Sequence, residues 1–293
     1  MVDLSGIPQF VAGGVAVGTV YGLVGAGFSL IYNSSKIVNF AQGEFVVVGG
    51  LAAVSLTGLL GARWTALAGS VCVVLALGTA LYLVLRLARR ASTEFTFVMV
   101  TLAAAIALRG AAGLIWGTEY RTFPLYSSGT VKVLGAVVSH GTLWMLAVTA
   151  LACVVLWAVL YRTRLGKAMR ACSNDRLAAQ TIGIDPRRMV LSSYLGSALL
   201  GAVAGILLTP MLMMSYDSGV MLALKGFTAA VAGGLVSPFG AIAGGLLIGI
   251  LEGLGVGLVS SELQNAYAFL VLLLVLLARP QGLFGRGPAQ ASS

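Results

Sequence analysis

The chain has 293 residues, of which 59% are hydrophobic and only 9% are charged, and its formal net charge is +9 at pH 7. Soluble domains carry about 25% charged residues, so this composition excludes an ordinary water-soluble globular protein. The 39 glycines agree with this, because glycine is frequent in membrane helices. The composition predicts an all-α, polytopic integral membrane protein in which residues 1–293 form a single transmembrane domain.

Apolar stretches of membrane-spanning length recur along the whole chain. A bilayer core needs about 20 apolar residues of helix. The pattern predicts nine spans, and eight or ten also fit it. They cover residues 8–31, 43–60, 65–87, 95–117, 141–161, 189–212, 220–236, 240–258 and 264–279. Only Ser237, Pro238 and Phe239 separate the seventh span from the eighth, which fits a tight turn or a re-entrant pair.

Lysines and arginines between the spans predict the orientation of the chain. They concentrate in three clusters, at 86–90, 162–188 and 279–286. Nine spans place all three clusters on one side, which the positive-inside rule assigns to the cytoplasm. We therefore expect the N-terminus outside and the C-terminus in the cytoplasm. The high pI requires no nucleic-acid partner, because the basic residues flank spans.

Two spans carry a glycine at every fourth position. The first span has Gly14, Gly18 and Gly22, and the eighth has Gly245, Gly249, Gly253 and Gly257. Small residues let membrane helices approach closely, so each series predicts a helix-packing face. A transport pathway beside these faces is the alternative interpretation.

The segment 36–44, between the first two spans, is too polar for lipid and too apolar for a free loop. It fits a broken helix that enters the membrane, with its backbone satisfied by protein or water. It equally fits an ordinary cytoplasmic turn in which Glu44 favours the N-terminal dipole of the next helix. In the first interpretation, Asn39, Gln42 and Glu44 line or border a path through the membrane.

Three more charged residues fall inside apolar stretches. Arg109 is eight residues from the outer end of the fourth span, and Lys225 is near the outer start of the seventh. Snorkelling of either side chain to the membrane surface explains both positions. Glu252 is next to the second glycine series, so we expect it to face protein and to hydrogen-bond a neighbouring helix.

The sequence shows no pattern for covalent chemistry. Cys72, Cys153 and Cys172 have neither paired nor CxxC spacing, and the single His140 has no ligand partner nearby. We therefore predict no disulfide, no metal site, no catalytic residue and no cofactor in this chain. The phosphate-binding pattern G-x-x-x-x-G-K-[ST] is also absent, since Tyr161 stands where its first glycine would be.

The basic loop 162–188 contains the signals of a short helix. Ser173 or Asn174 is the expected N-cap, with Asp175 in the first turn. Gly183 is a typical residue after a helix C-terminus, and Pro186 prevents continuation. Leu177, Ala178 and Ile182 give the helix a small apolar patch. The helix fits a groove on a partner protein, and the alternative is a solvated loop that only fixes topology.

Several segments resemble one membrane-protein family. They are 37–44, 166–172, 178–184, 225–234, 240–245 and 279–285, within a resemblance that covers essentially the whole chain. The sequence is similar to the permeases of branched-chain amino-acid ATP-binding-cassette importers, and nearest to the H-type subunit. Two positions depart from the family pattern. Gln42 stands where the family often has His, and the basic stretch after the third span is short.

The resemblance implies a transport subunit that is not itself an enzyme. It would move a small amino acid, or a similar small organic solute, into the cytoplasm across the bacterial inner membrane by alternating access. The expected partners are a second, identical or paralogous permease, two cytoplasmic ATPase subunits and a periplasmic solute-binding protein. The solute stays open among branched-chain amino acids, urea, amides and aromatic acids.

The resemblance also gives the expected site residues. The segment that couples to the ATPase is expected to comprise Ser173, Asn174, Asp175, Arg176, Leu177, Ala178, Ile182 and Gly183. The translocation path is expected to be lined by Asn39, Gln42, Glu44, Lys225 and Thr228. The alternative function is an autonomous ion-coupled carrier or channel, which predicts transport without ATPases and ionisable pairs deep in the spans.

Overall fold

The computed structural model describes residues 6–88, 94–126, 129–133, 136–279 and 281–284. Eleven α-helices and one hairpin make up this part of the chain. The helices are α1 (Ile7–Ser35), α2 (Gln42–Leu60), α3 (Arg63–Ala88), α4 (Glu94–Trp116), α5 (His140–Trp157), α6 (Arg164–Asn174), α7 (Arg176–Thr181), α8 (Pro186–Leu212), α9 (Ser218–Gly233), α10 (Pro238–Leu258) and α11 (Gln264–Ala278). Strands β1 (Thr130–Val133) and β2 (Ala136–Ser139) pair antiparallel, and a π-helical turn, Ala158–Arg162, follows α5.

Each of the nine predicted spans coincides with an apolar helix. Seven helices in the described part of the chain are long and apolar enough to cross a membrane. The other two, α9 and α11, have 16 and 15 residues and are shorter. At 1.5 Å per residue, α9 rises about 24 Å, less than the ~30 Å of a bilayer core. The prediction of a polytopic helical protein with about nine spans is therefore confirmed.

Helix α1 lies at the centre of the bundle, where it packs against α8, α9 and α10. Its contact with α10 is made by the two glycine series. A Cβ atom on Gly249 would lie 2.3 Å from the Gly14 carbonyl oxygen, and one on Gly245 would lie 2.2 Å from the Gly22 nitrogen. Any side chain would separate the two backbones, so both series are packing faces, as the sequence predicted.

The segment 36–41 turns back into the protein instead of crossing its surface. Lys36 adopts a positive φ of 63°, and Ile37, Asn39 and Ala41 are buried. The Gln42 amide then lies against Gly27, so that a Cβ there would be 2.3 Å from Nε2. Gly27 precedes the end of α1 by about 12 Å of helix rise. Helix α2 thus begins inside the bundle, which excludes the ordinary surface turn as an interpretation of this segment.

The β-hairpin and the helices α6 and α7 lie at opposite ends of α5. At the hairpin end, the Gln9 side chain donates to the Val137 carbonyl at 3.0 Å and accepts from its N–H at 2.9 Å. The chain between α4 and β1 is tied to the bundle by the Tyr126 hydroxyl, which donates to the Leu207 carbonyl at 3.1 Å. No sequence pattern predicted the hairpin, because its strands have only four residues each.

Candidate functional site

The basic loop 162–188 contains two helices, where the sequence predicted one. Helix α6 begins after Thr163, whose hydroxyl accepts from the Gly166 N–H at 3.1 Å, and it continues through Ser173 and Asn174. These two residues therefore end a helix, and the prediction that one of them caps the next helix is wrong. The N-cap of α7 is Asp175, whose extended backbone interrupts the helical conformation between α6 and α7. Its carboxylate accepts from the N–H groups of Leu177 at 2.8 Å and Ala178 at 3.0 Å.

The predicted end of α7 is confirmed. Gly183 has a φ of 83° and its N–H donates to the Gln180 carbonyl at 3.0 Å. The Ile184 N–H donates to the Ala179 carbonyl, also at 3.0 Å. This pair of bonds is a Schellman motif, in which glycine is favoured because the left-handed backbone strains a residue with a Cβ atom.

The apolar patch of α7 faces away from the bundle. Leu177 and Ile182 are 75% and 73% exposed, and Ala178 beside them is also exposed. Ala179, on the opposite side of the helix, is buried. A six-residue helix that exposes Leu177, together with the exposed Ile182 at its C-cap, presents a surface suited to contact with another protein.

Polar contacts from α6 and α7 fasten these two helices to the end of α1. The Arg176 guanidinium donates to the Ser34 carbonyl, and the Ser173 hydroxyl lies 3.4 Å from the Asn33 side-chain oxygen. A cation at a helix C-terminus also interacts favourably with the helix dipole. Burial, and then the nearby Arg176, lower the pKa of Lys36. Displacement of α7 would therefore move or break the hydrogen bond that Arg176 makes to the last turn of α1.

Each residue expected along the translocation path is buried in this structure, and they do not form one cluster. Asn39 closes a local turn, since its side-chain oxygen accepts from the Ala41 N–H at 3.2 Å. The Gln42 amide donates to the Ser197 carbonyl on α8 at 3.2 Å. The Ser197 hydroxyl in turn donates to the Gly27 carbonyl at 2.9 Å. Gln42 thereby joins α1, α2 and α8.

Glu44 is buried and forms an ion pair with Arg109, whose side chain is only partly buried. The guanidinium Nη2 lies 3.1 Å from Oε1 of Glu44, whose side chain is only 2% exposed, whereas that of Arg109 is 32% exposed. The prediction that Arg109 snorkels to the membrane surface is wrong, because α2 begins inside the bundle and brings an acid to its depth. The carboxylate also lies against the first turn of α9. A Cβ on Gly219 would be 2.9 Å from Oε1.

Lys225 and Glu252 form a second ion pair, which is buried, on the other side of α9. The Lys225 ammonium donates to Oε1 of Glu252 at 2.8 Å and to the Tyr21 hydroxyl at 3.1 Å. The Gln264 amide donates to the same carboxylate oxygen at 2.7 Å. Snorkelling is therefore also wrong for Lys225, which lies near the middle of α9 and is 5% exposed. The prediction that Glu252 hydrogen-bonds neighbouring helices is confirmed. Thr228, less than one turn beyond Lys225, is buried as well.

Sequence reasoning missed both pairs, because their partners are 65 and 27 residues apart. A usable signal was nevertheless present. Apart from Arg86 and Arg279, which lie within two residues of the ends of their spans, the predicted spans contain two acids, Glu44 and Glu252, and two bases, Arg109 and Lys225. Since an isolated charge in a membrane is costly, equal numbers of both signs predict pairing. The described residues contain no group of three or more His, Cys, Asp or Glu that could hold a metal.

Comparison with known proteins identifies the family to which this chain belongs. Residues 10–278 match the family model of the branched-chain amino acid transport system permease component. This chain belongs to that family. The permease is therefore a multi-span membrane transport subunit and not an enzyme.

Individual relatives agree with this assignment. The permease is 30% identical to the high-affinity branched-chain amino acid transport system permease protein BraD of Pseudomonas aeruginosa, over 95% of each chain. It is also 30% identical to LivH, the permease protein of the corresponding high-affinity system of Escherichia coli K12, over 93% of this chain and 94% of LivH. A second permease protein of the same E. coli system, LivM, is 31% identical over 42% of this chain and 29% of LivM.

The pair between Lys225 and Glu252 predicts a distinctive pattern of stability. Lys225→Met or Glu252→Gln alone should destabilise the purified permease by about 3–5 kcal/mol, because each leaves one buried charge without its partner. The double variant should recover most of that loss. Thermal melting in detergent measures both effects.

The surface pair between Arg188 and Asp185, with nitrogen and oxygen 3.6 Å apart, is the matched control. Arg188→Ala should change stability by less than about 1 kcal/mol. A double variant at Lys225 and Glu252 that is no more stable than the two single variants would contradict a coupled pair.

Proposed function

We propose that this permease imports an aliphatic amino acid into the cytoplasm as the membrane subunit of an ATP-driven importer. The observation that carries the proposal is the attachment of α7 to α1. Helix α7 exposes Leu177 and Ile182, while Arg176 bonds the Ser34 carbonyl. A partner that binds this patch would therefore act directly on the central helix of the bundle.

The proposed partners follow from the relatives and from this geometry. Since the E. coli system has the permease proteins LivH and LivM, we infer that a second permease subunit pairs with this chain. Two cytoplasmic ATPases would drive transport, one of which would bind this chain through the coupling residues 173–178, 182 and 183. A periplasmic solute-binding protein would deliver the solute. The names of BraD and LivH favour a branched-chain amino acid over urea, amides or aromatic acids.

Alternating access would use the rigid contacts inside the bundle. Closure of the ATPases would move α7, and Arg176 would transmit that motion to the end of α1. Helix α1 is locked to α10 through glycine, so the two would move together. Helix α9 lies between the two ion pairs and would shift relative to Glu44. Asn39, Gln42, Glu44, Lys225 and Thr228 would then border the path, with Glu44 and Arg109 as its ionic part.

An autonomous ion-coupled carrier is the second candidate, and the two ion pairs described above favour it. Such carriers use ionisable residues within their spans. Both pairs here are neutral as a whole, and Lys225 and Glu252 have further partners in Tyr21 and Gln264. This arrangement suits a structural role at least as well as ion binding. Proteoliposomes that contain the permease without ATPases distinguish the two functions, because only the carrier would transport under an ion gradient.

The coupling proposal predicts a loss of transport without a loss of folding. Leu177→Asp should abolish co-purification of the ATPase and ATP-dependent leucine uptake, because it puts a charge in the apolar contact. Gly183→Val should do the same, because a β-branched residue resists a φ of 83°. Gln180→Ala is the matched control on the same helix, since it removes an exposed side chain outside the patch. Normal uptake by both variants would leave the segment only a topological role.

The path proposal predicts an effect of Glu44 on uptake. Glu44→Gln keeps an oxygen that can accept from Arg109 but removes the charge, so uptake should fall by at least about tenfold while ATPase binding persists. Ser215→Ala is a control beside the same end of α9, because its hydroxyl contacts only the local turn. Unchanged leucine uptake by Glu44→Gln would exclude a role of this carboxylate in the path and leave only its favourable interaction with the N-terminal dipole of α2.

The proposed orientation has the loop 162–188 in the cytoplasm and the β-hairpin outside, in the bacterial inner membrane. A cysteine at the exposed position 180 should react with an impermeant maleimide only in inside-out vesicles. One at the exposed position 132 should react only in intact cells or spheroplasts. Both are placed in a background without the native cysteines. Labelling of position 180 from outside would invert the model.

A further inference from the structure

A cavity of about 290 Å³ opens near the ends of α1 and α3 and the start of α8. Its floor consists of buried side chains: Ser35, Ile37, Tyr82, Leu85, Phe97, Val190 and Tyr194. Among the residues that the structure describes, its rim carries two exposed arginines, Arg86 from the last turn of α3 and Arg187 from the first turn of α8. We infer that this cavity binds the phosphate headgroup of an anionic phospholipid.

The charge at the rim selects an anion. Among the side chains that the structure describes, no carboxylate lies at ion-pair distance from Arg86 or Arg187. The acid nearest in sequence to Arg187 is Asp185, which is already engaged, because its carboxylate accepts from the Arg187 N–H at 2.9 Å and lies 3.6 Å from Arg188. Guanidinium groups bind phosphate oxygens in bidentate geometry, so two of them at one opening suit a phosphate better than a cation or a neutral solute.

The walls select an amphiphile over a free phosphate. Part of the cavity wall is apolar and offers a hydrated inorganic ion no hydrogen bonds. This part consists of Ile37, Leu85, Phe97 and Val190. Beside Arg86, the outer face of α3 exposes Leu83, Val84 and Leu87, and Leu87 is 75% exposed. Acyl chains can lie along this face while the headgroup enters the cavity. Ligand cavities for drug-sized molecules are about 300–1,000 Å³, so this one suits a small headgroup.

The position of the cavity gives the bound lipid a mechanical role. The Tyr82 hydroxyl donates to the Arg187 carbonyl at 3.2 Å and already joins α3 to the start of α8. A phosphate between Arg86 and Arg187 would add a second link at the same place. Ser35, the last residue of α1, and Ile37 in the inward-turning segment 36–41 line the same cavity. The lipid would thus hold together the points where α7 and the inward-turning segment join the spans.

Binding of single lipids to the purified, delipidated permease, measured by native mass spectrometry, tests this inference. The probes are phosphatidylglycerol, phosphatidylcholine and inorganic phosphate. Phosphatidylglycerol should bind at least about tenfold more tightly than phosphatidylcholine. Arg86→Gln with Arg187→Gln should weaken phosphatidylglycerol binding by about 25-fold, since each cation near an anionic headgroup contributes about fivefold. The matched control is Arg164→Gln with Lys167→Gln, which removes two exposed charges from α6 and should leave binding unchanged.

A cavity-filling variant separates a built site from general attraction to positive charge. Val190→Phe keeps both arginines but occupies the apolar floor, so it should also lose phosphatidylglycerol. Retention of the lipid by Val190→Phe, or an equal loss in the α6 control, would overturn the site. Stabilisation of the permease by inorganic phosphate at the same concentration as by phosphatidylglycerol would overturn the assignment to a lipid. None of these readouts involves ATPases or uptake, so failure of the importer proposal is detected separately.

Discussion

The close approach of α1 and α10 is the constraint on which the rest of this bundle depends. In lipid, hydrophobicity does not bring helices together, so van der Waals contact between backbones must replace it. Gly14, Gly18 and Gly22 on one helix and Gly245 and Gly249 on the other leave no room for a Cβ atom. With this contact fixed, Tyr21 on α1 and Glu252 on α10 meet at 3.3 Å. The polar network around Lys225 therefore depends on the glycine contact between α1 and α10.

The short helix α9 owes its position to charges on both of its sides. Glu44 lies against Gly219 in its first turn, and Lys225 in its middle reaches Glu252 on α10. Neither charge could be placed alone at this depth, because removing an ion from water requires a partner and further hydrogen bonds. The pair between Lys225 and Glu252 thus makes the register of α9 specific, where an apolar helix of 16 residues could slide along its neighbours.

Much of this fold could be predicted from the sequence, because bilayer thickness limits the length of an apolar helix. The spans, the glycine faces and the end of α7 at Gly183 follow from local patterns. The start of α7 at Asp175 did not, because Ser173 and Asn174 are equally good capping residues and only the extent of α6 decides between them. The partner of Arg109 did not either. It depends on how far the segment 36–41 turns back into the bundle, which no local pattern measures.

The buried start of α2 has a consequence for how the chain is assembled in the membrane. Glu44 is synthesised 65 residues before Arg109, and Gln42 is synthesised 155 residues before Ser197. When α1 and α2 first enter the bilayer, neither polar side chain has its final partner. We therefore expect the pair of helices α1 and α2 to remain next to water or to the insertion machinery until α4 and α8 enter the membrane. Insertion and tertiary folding of this protein are thus expected to overlap in time, with α2 reaching its final depth only after α8 has entered the bundle.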